Sequence, residues 1–211
     1  MKLYVYEHCP FCARVGFIAG MLHIPLEQVV LVYDDVTTPT ELVGKKAVPI
    51  LEKEDGTAMD ESMDIIDYFV QLRFPNAPSL SASSEVLDWQ AQAFPLLQKI
   101  GYPRWPELGL GEFLTASSRQ AWLDKKQTDE LNFAELKANT PEIAAQVSAL
   151  IKQVEPILFP QSGVPTFIDE AIVFSLLRGW VCEPSIEWPP AVMQWLRRRS
   201  AVTGVSVLMR D

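Results

Sequence analysis

The residues best suited to chemistry are two cysteines in the run Cys9-Pro10-Phe11-Cys12. A thiolate can attack a disulfide sulfur, and a second thiol three residues on can resolve the mixed disulfide that results. The elements around the pair must bring the two sulfurs together and favour the ionised form of one. Leu3-Tyr4-Val5-Tyr6, just before them, is aromatic and β-branched and reads as a strand. Phe11, Val15, Ile18, Ala19 and Leu22 recur at steps of three and four, the spacing of one helix face. Pro10 suits a first helical position because it has no N–H to leave unpaired. Cys9 then lies at the helix mouth, where free N–H groups and the helix dipole stabilise a thiolate. The spacing predicts that Cys9 titrates below the free-thiol value of about 8.5 and attacks. Cys12, one turn deeper, is the resolving thiol.

The bland alternatives are half a zinc site or two small buried residues. A structural zinc site takes four ligands. Only Cys182, His8 and His23 remain to supply them, with no second C-x-x-C and no H-x-x-x-H. A redox pair that opens a strand–helix–strand pattern fits better. His8 beside Cys9 is placed against solvent or in a loop; if protonated, it would lower the thiol pKa. Cys182 reads as a buried, inert thiol.

The 211 residues allow one large domain or two modest ones. No apolar run approaches the roughly 20 residues of a membrane helix. No basic-then-apolar leader precedes the first strand, so no secretory signal is expected. Three cysteines make no disulfide framework, which fits a reducing compartment. The net charge of −9 is concentrated in residues 1–72, with twelve Asp/Glu against five Lys/Arg. Such acidity argues against nucleic acid as a partner. Arg197-Arg198-Arg199 reads as the solvated end of a helix.

Residues 1–72 read β-α-β followed by β-β-α. Val29-Val30-Leu31-Val32 has the continuous apolar character of a strand buried on both faces. Asp34 to Lys46 is loop or irregular helix. Glu54-Asp55-Gly56 turns between short strands at 48–52 and 57–59. Pro49 does not suit a central strand. It is either an edge residue in the trans form, or a cis residue that turns the Val48 backbone groups towards a ligand. Asp60-Glu61-Ser62 leads into an amphipathic helix, with acids placed to favour its dipole. Residues 73–84 are rich in Pro and Ser and lack periodicity, so they read as a linker. From Glu85 on, only helical patterns follow: about 85–101, 111–126, 128–137, 141–157, 166–179 and 189–199. Thr166-Phe167-Ile168-Asp169 is an acidic variant of the capping box. The helix after it is apolar nearly all round and belongs inside a bundle.

On these residues the chain resembles a known family. Cys9-Pro10-Phe11-Cys12, Ala47-Val48-Pro49 and Glu61-Ser62 resemble the glutaredoxin pattern of the thioredoxin superfamily. With the helical second half, the chain is similar to the two-domain bacterial glutaredoxins of glutathione-transferase-like architecture. Met1-Lys2-Leu3-Tyr4, Val43-Gly44-Lys45, Met63-Asp64-Ile65 and Asp124-Lys125-Lys126 add to the likeness. It is strong over residues 1–72 and mostly architectural beyond 85. The resemblance implies an α/β fold joined to an all-α one. Residues 1–72 would form a thioredoxin-like domain with a four-stranded sheet flanked by helices, and 85–211 a helical bundle. It implies a cis Val48–Pro49 bond and glutathione as co-substrate, with no metal. Cys9 would meet the glutathione sulfur and Phe11 would wall the site. The Val48 backbone, beside Pro49, would pair with the cysteinyl part of the tripeptide. Glu61 would hold its ammonium group, and the Ser62 hydroxyl and N–H its γ-glutamyl carboxylate. For Glu61 and Ser62 the alternative is plain helix capping.

The family pattern has a basic residue for the glycyl carboxylate, and Arg14, Lys45 and Lys46 are the candidates. Position 11 departs from the family, with Phe where Tyr is common. The resemblance further implies a monomeric, cytoplasmic enzyme acting on glutathionylated or disulfide-bonded proteins, without membrane or nucleic acid. Two other functions share this fold. A glutathione transferase would show a lone Ser or Tyr in place of the cysteine pair. The other is non-enzymatic, a binding or assembly module or an iron–sulfur carrier; cluster-carrying glutaredoxins generally have a single cysteine followed by Gly-Phe-Ser, which this motif lacks.

Overall fold

The computed structural model describes residues 1–209, so the end of the 85–211 segment lies outside it. β1 (Lys2–Val5) leads into α1 (Pro10–Met21) and then β2 (Glu27–Val30). β2 pairs parallel with β1, and parallel neighbours need such a helical crossover. After α2 (Thr37–Val43) come β3 (Ile50–Glu52) and β4 (Ala58–Met59), each antiparallel to its neighbour. The four-stranded sheet runs β2-β1-β3-β4. Its central register sets Leu3 against Leu51, both buried. α3 (Ser62–Arg73) packs against α1 and completes this half.

Residues 74–83 contain no helix or strand, and α4 (Ser84–Gly101) follows. Short 3₁₀ turns at Trp105–Glu107 and Gly111–Phe113 lead to α5 (Ala116–Lys126), α6 (Phe133–Ala138) and α7 (Thr140–Leu158). α8 (Phe167–Trp180) and α9 (Pro190–Thr203) complete the bundle. α8 is buried along almost its whole length, as its all-round apolar sequence requires. It packs against α1 and α4, so one contiguous core joins the sheet to the bundle. Phe17 of α1 meets Phe174 of α8 with ring centroids 5.0 Å apart. α1 is therefore covered on two sides, by the sheet and α3 on one and by α8 and α9 on the other.

Several expectations change. The 29–32 run is not enclosed on both faces: β2 is an edge strand, and Val30 and Val32 are exposed. Leu31 and Tyr33 point inward with the half-buried Val29, and alternation along the chain turns Val30 and Val32 to the other, uncovered face. The helix expected over 111–126 is split. Thr115 caps α5, its Oγ1 accepting from the Ser118 N–H at 3.0 Å, and a 3₁₀ turn precedes it. The 128–137 helix shrinks to α6, because Asn132 Oδ1 caps it, accepting from Ala134 and Glu135. Thr166 caps α8 as expected, accepting from the Asp169 N–H at 3.2 Å. Asp169 does not complete a reciprocal box, since its carboxylate accepts from the Ser83 N–H at 2.8 Å and ties α4 to α8. Arg199 is not solvated; its guanidinium pairs with the buried Glu170.

Candidate active site

Cys9 is the N-cap of α1, with extended backbone (φ −67°, ψ 121°). Its Sγ accepts from the Cys12 N–H at 3.4 Å, and its own N–H is held by Tyr6 O at 3.1 Å. Pro10 occupies the first turn, which leaves the remaining N–H groups aimed at the sulfur. A hydrogen bond from the Cys12 thiol lowers the Cys9 pKa most, and the Cys12 and Phe11 backbones add to it. Together they outweigh burial, so Cys9 titrates below the ordinary 9.0. Burial pushes the Cys12 thiol well above that value, and proximity to Cys9 pushes it further. The two sulfurs are thus differentiated in the direction the sequence predicts. Cys9 is 7 % exposed, and it opens on a cavity of about 350 Å³.

A second cavity, of about 170 Å³, brings together Phe11, Ala47, Val48, Pro49, Asp60, Glu61 and Ser62. Residues far apart in the sequence meet here, and the Val48–Pro49 peptide bond is cis. Phe11 lines both cavities; it lies not in the core, as the helix-face pattern suggests, but 38 % exposed. Glu61 precedes α3 without a side-chain capping bond, so plain capping does not account for it. Its backbone stands at φ 65°, ψ 114°, a conformation a non-glycine residue adopts only at a cost of about 1–3 kcal/mol. Ser62 is buried. Of the three basic candidates, Lys45 pairs with Asp60 at 2.7 Å and Glu61 at 3.2 Å. Lys46 Nζ donates to Tyr33 O at 2.6 Å. Arg14 is buried, donates to Gln90 Oε1 at 2.6 Å, and rests 5.3 Å from the Phe11 ring centre. None of the three lines the 170 Å³ cavity.

His8 departs most from expectation. It is buried, stacked by Trp105 at 5.1 Å and Phe113 at 5.4 Å, and met edge-on by Trp122 at 4.8 Å. Its Nδ1 lies 2.7 Å from Oε1 of Glu112, a wholly buried carboxylate from the helical half. Burial holds the imidazole below its ordinary 6.5 despite Glu112, so a neutral ring donates to the carboxylate. Burial alone would raise Glu112, but the His8 bonds overcome it and hold the group below 4.5. Arg178 is also buried, its Nη1 donating to Glu7 O at 2.9 Å. Sequence reasoning missed Glu112 and Arg178; a charge inside an otherwise apolar helix such as α8 was the one available signal. Cys182 is half-buried, and burial pushes its thiol up to about 12, which leaves it inert. Among the described residues, no cluster of His, Cys, Asp or Glu could hold a metal ion, and no helix is long and apolar enough to cross a membrane.

A differentiated thiol pair at a helix mouth, on a thioredoxin-like sheet backed by a helical bundle, defines a thiol–disulfide exchange site. Comparison with known proteins narrows this. Residues 85–210 match the family model "Glutaredoxin 2, C terminal domain", and residues 3–77 match "Glutathione S-transferase, N-terminal domain". Glutaredoxin 2 of Escherichia coli strain K12 is 32 % identical over 210 residues, 99 % of this chain and 98 % of that one. The crystal structure of glutaredoxin 2 from Salmonella typhimurium in complex with glutathione superposes with a TM-score of 0.89 at 29 % identity. That match covers 98 % of this chain and 96 % of the other. A glutathione S-transferase from Methylobacterium radiotolerans shares the fold, with a TM-score of 0.62 at 15 % identity, over 100 % of this chain and 95 % of that one. The chain belongs to the glutaredoxin 2 family.

Proposed function

We propose that this protein is a glutathione-dependent thiol–disulfide oxidoreductase that reduces protein–glutathione mixed disulfides and protein disulfides through Cys9 and Cys12. One observation carries the reading. The sulfur with the lowered pKa caps α1, and Phe11 beside it also walls the groove of Val48, Pro49, Glu61 and Ser62. Glutathione occupies that groove. The Val48 backbone pairs with its cysteinyl unit, Glu61 takes its ammonium group, and Ser62 takes its γ-glutamyl carboxylate. The strained Glu61 backbone supports a ligand role, since such conformations gather at functional sites. Residues 1–72 act as the redox domain, 73–84 as the linker and 85–211 as the helical domain.

In the first route the Cys9 thiolate attacks the glutathione sulfur of a mixed disulfide. The S–S bond breaks and the protein thiolate leaves and takes a proton. Cys9 is now glutathionylated. A second glutathione thiolate attacks that same glutathione sulfur, giving glutathione disulfide and restoring Cys9. In the second route Cys9 attacks a protein disulfide, and Cys12 loses its proton and displaces the substrate. The Cys9–Cys12 disulfide left behind is reduced by two glutathiones. The raised Cys12 pKa keeps it protonated and idle during the first route. We infer that the protein does this in the cytoplasm, as a monomer; three free cysteines suit a reducing compartment. Cys9→Ser should abolish reduction of a glutathione mixed disulfide while Cys12→Ser retains it. An active Cys9→Ser variant would rule out Cys9 as the nucleophile. A chlorodinitrobenzene conjugation assay run alongside separates this activity from glutathione transfer.

A further inference from the structure

The exchange scheme uses the groove of Val48 and Glu61 and leaves the larger cavity, on which Cys9 itself opens, without an occupant. At about 350 Å³ it has the size of an ordinary small-ligand pocket. Its walls include Tyr6, Tyr33, Phe94, Leu97, Tyr102 and Trp105, with Phe11 at the boundary with the groove. Tyr102 and Trp105 are buried and fixed: the Gln98 amide donates to the Tyr102 hydroxyl at 2.8 Å, and Trp105 Nε1 donates to Gly179 O at 3.2 Å. The shape is therefore built into the bundle.

With His8 neutral, the one full charge among the residues that line this cavity is Lys126, at the end of α5 and half-buried. Its Nζ lies 5.1 Å from the Tyr102 ring centre and 5.7 Å from that of Trp122. No carboxylate among the described residues pairs with it, whereas Lys45, beside the glutathione groove, is held by two. An aromatic hollow with a single ammonium at its edge recognises an apolar group that carries a nearby negative charge. In a chain with a net charge of −9, an ammonium with no carboxylate partner at the edge of the cavity on which Cys9 opens is a local exception to the general field.

We propose that this cavity is the specificity pocket for the disulfide substrate. It takes an aromatic side chain next to the substrate's reacting cysteine, and Lys126 pairs with an acidic residue beside that aromatic one. The proposal rests on the exchange reading above, since it is the substrate's half of the disulfide that must lie against Cys9 once glutathione fills its groove.

The test uses short peptides with one glutathionylated cysteine: Phe next to the cysteine and then Asp, the same peptide with Lys for Asp, and the same with Ala for Phe. The glutathione mixed disulfide of 2-mercaptoethanol serves as the neutral reference. For the wild type, kcat/KM should favour the Phe-Asp peptide over the Ala-Asp peptide by about tenfold. Lys126→Glu should lower the ratio of kcat/KM for Phe-Asp over Phe-Lys by about fivefold, the rate on the neutral reference serving to normalise both peptides for any change at Cys9 itself. Lys126→Met keeps an apolar stem over the two rings and should give an intermediate shift. Equal rates with the Phe and Ala peptides, or a charge preference indifferent to Lys126→Glu, would overturn the pocket alone. A wild type inactive on the reference would overturn the exchange reading itself, and this inference with it.

Discussion

Glu112 accepts three hydrogen bonds from the two residues that precede Cys9: from the Glu7 N–H at 3.1 Å, the His8 N–H at 2.9 Å and His8 Nδ1 at 2.7 Å. The clamp is reciprocal, because Glu7 Oε2 accepts from the Gly111 N–H. Tyr33 N–H also donates to Glu112 O at 2.9 Å. A carboxylate from the helical half thus fixes the approach of β1 to the cysteine pair. Glu112→Ala leaves three donors without this partner, the two of His8 buried and that of Glu7 partly so. Each buried orphan costs about 1–3 kcal/mol, so the variant should lose at least about 2 kcal/mol in urea unfolding. Glu112→Gln keeps an acceptor for part of the set and should lose less. A Glu112→Ala protein as stable as the wild type would show the clamp to be idle.

The same pair dictates how stability varies with pH. His8 is held below its ordinary 6.5 by burial, with Lys126 and Arg178 opposing its protonation further and Glu112 favouring it. As pH falls through 6.5 the unfolded chain takes up the proton first, so stability declines from there towards the folded value. Glu112, held below 4.5, contributes stability that is complete above 4.5 and is lost as pH falls further. His8→Asn, a neutral donor, should flatten the upper part of this decline and leave the lower part. Urea unfolding across the acid range reads both. An unchanged slope just below pH 6.5 would contradict the buried neutral ring.

Cys9 owes its lowered pKa first to the Cys12 thiol. Thiolate absorbance should therefore show one step below 9.0, from Cys9, and Cys12 should titrate well above it. Iodoacetamide near neutral pH should alkylate Cys9 and spare Cys12. Cys12→Ala removes the largest cause, so the Cys9 alkylation profile should move to higher pH. A profile that stays in place would assign the effect to the helix mouth alone.

How much of this was legible before the structure depended on distance along the chain. The strand, the cysteine pair and the helix lie within 21 residues, and their types and spacing gave all three. The almost wholly buried α8 was visible in its own composition. The His8–Glu112 contact spans 104 residues and leaves no periodic trace, so His8 was placed near solvent. An apolar run such as Val29–Val32 does not distinguish a central strand from an edge, because the distinction lies in which strands flank it. The break before α5 turns on one threonine side chain that caps where a periodicity would continue. The residues proposed to hold glutathione were reached through family resemblance; nothing in the local spacing joins Val48 to Glu61.

Glu61 allows fold and function to be separated. Its backbone occupies φ 65° with no capping bond to compensate. Glu61→Gly relieves that strain at the expense of chain entropy of about 0.5–1 kcal/mol, so stability should hold or rise slightly. With Glu61 in its proposed role as partner of the glutathione ammonium group, the KM for glutathione should rise about tenfold. Ser62→Ala should raise KM similarly without a gain in stability. A Glu61→Gly enzyme with an unchanged KM would remove Glu61 from the glutathione site.

Two glycines of α1 show how closely the redox helix is held by the bundle. A Cβ on Gly20 would lie 2.6 Å from Cα of Thr203, at the end of α9, and closer still to its carbonyl oxygen. Backbone does not yield as a side chain does, so overpacking here costs about 1–3 kcal/mol. A Cβ on Gly16 would meet only the Val205 side chain, at 3.1 Å. In a helix interior alanine is worth about 1 kcal/mol over glycine. At Gly16 that gain should offset a small adjustment of Val205 and leave stability nearly unchanged. At Gly20 the clash should outweigh it, and thermal unfolding of Gly20→Ala should fall clearly below both the wild type and Gly16→Ala. Equal melting of the two variants would mean that α9 moves away freely, and that α1 is positioned by the sheet, α3 and α8 without it.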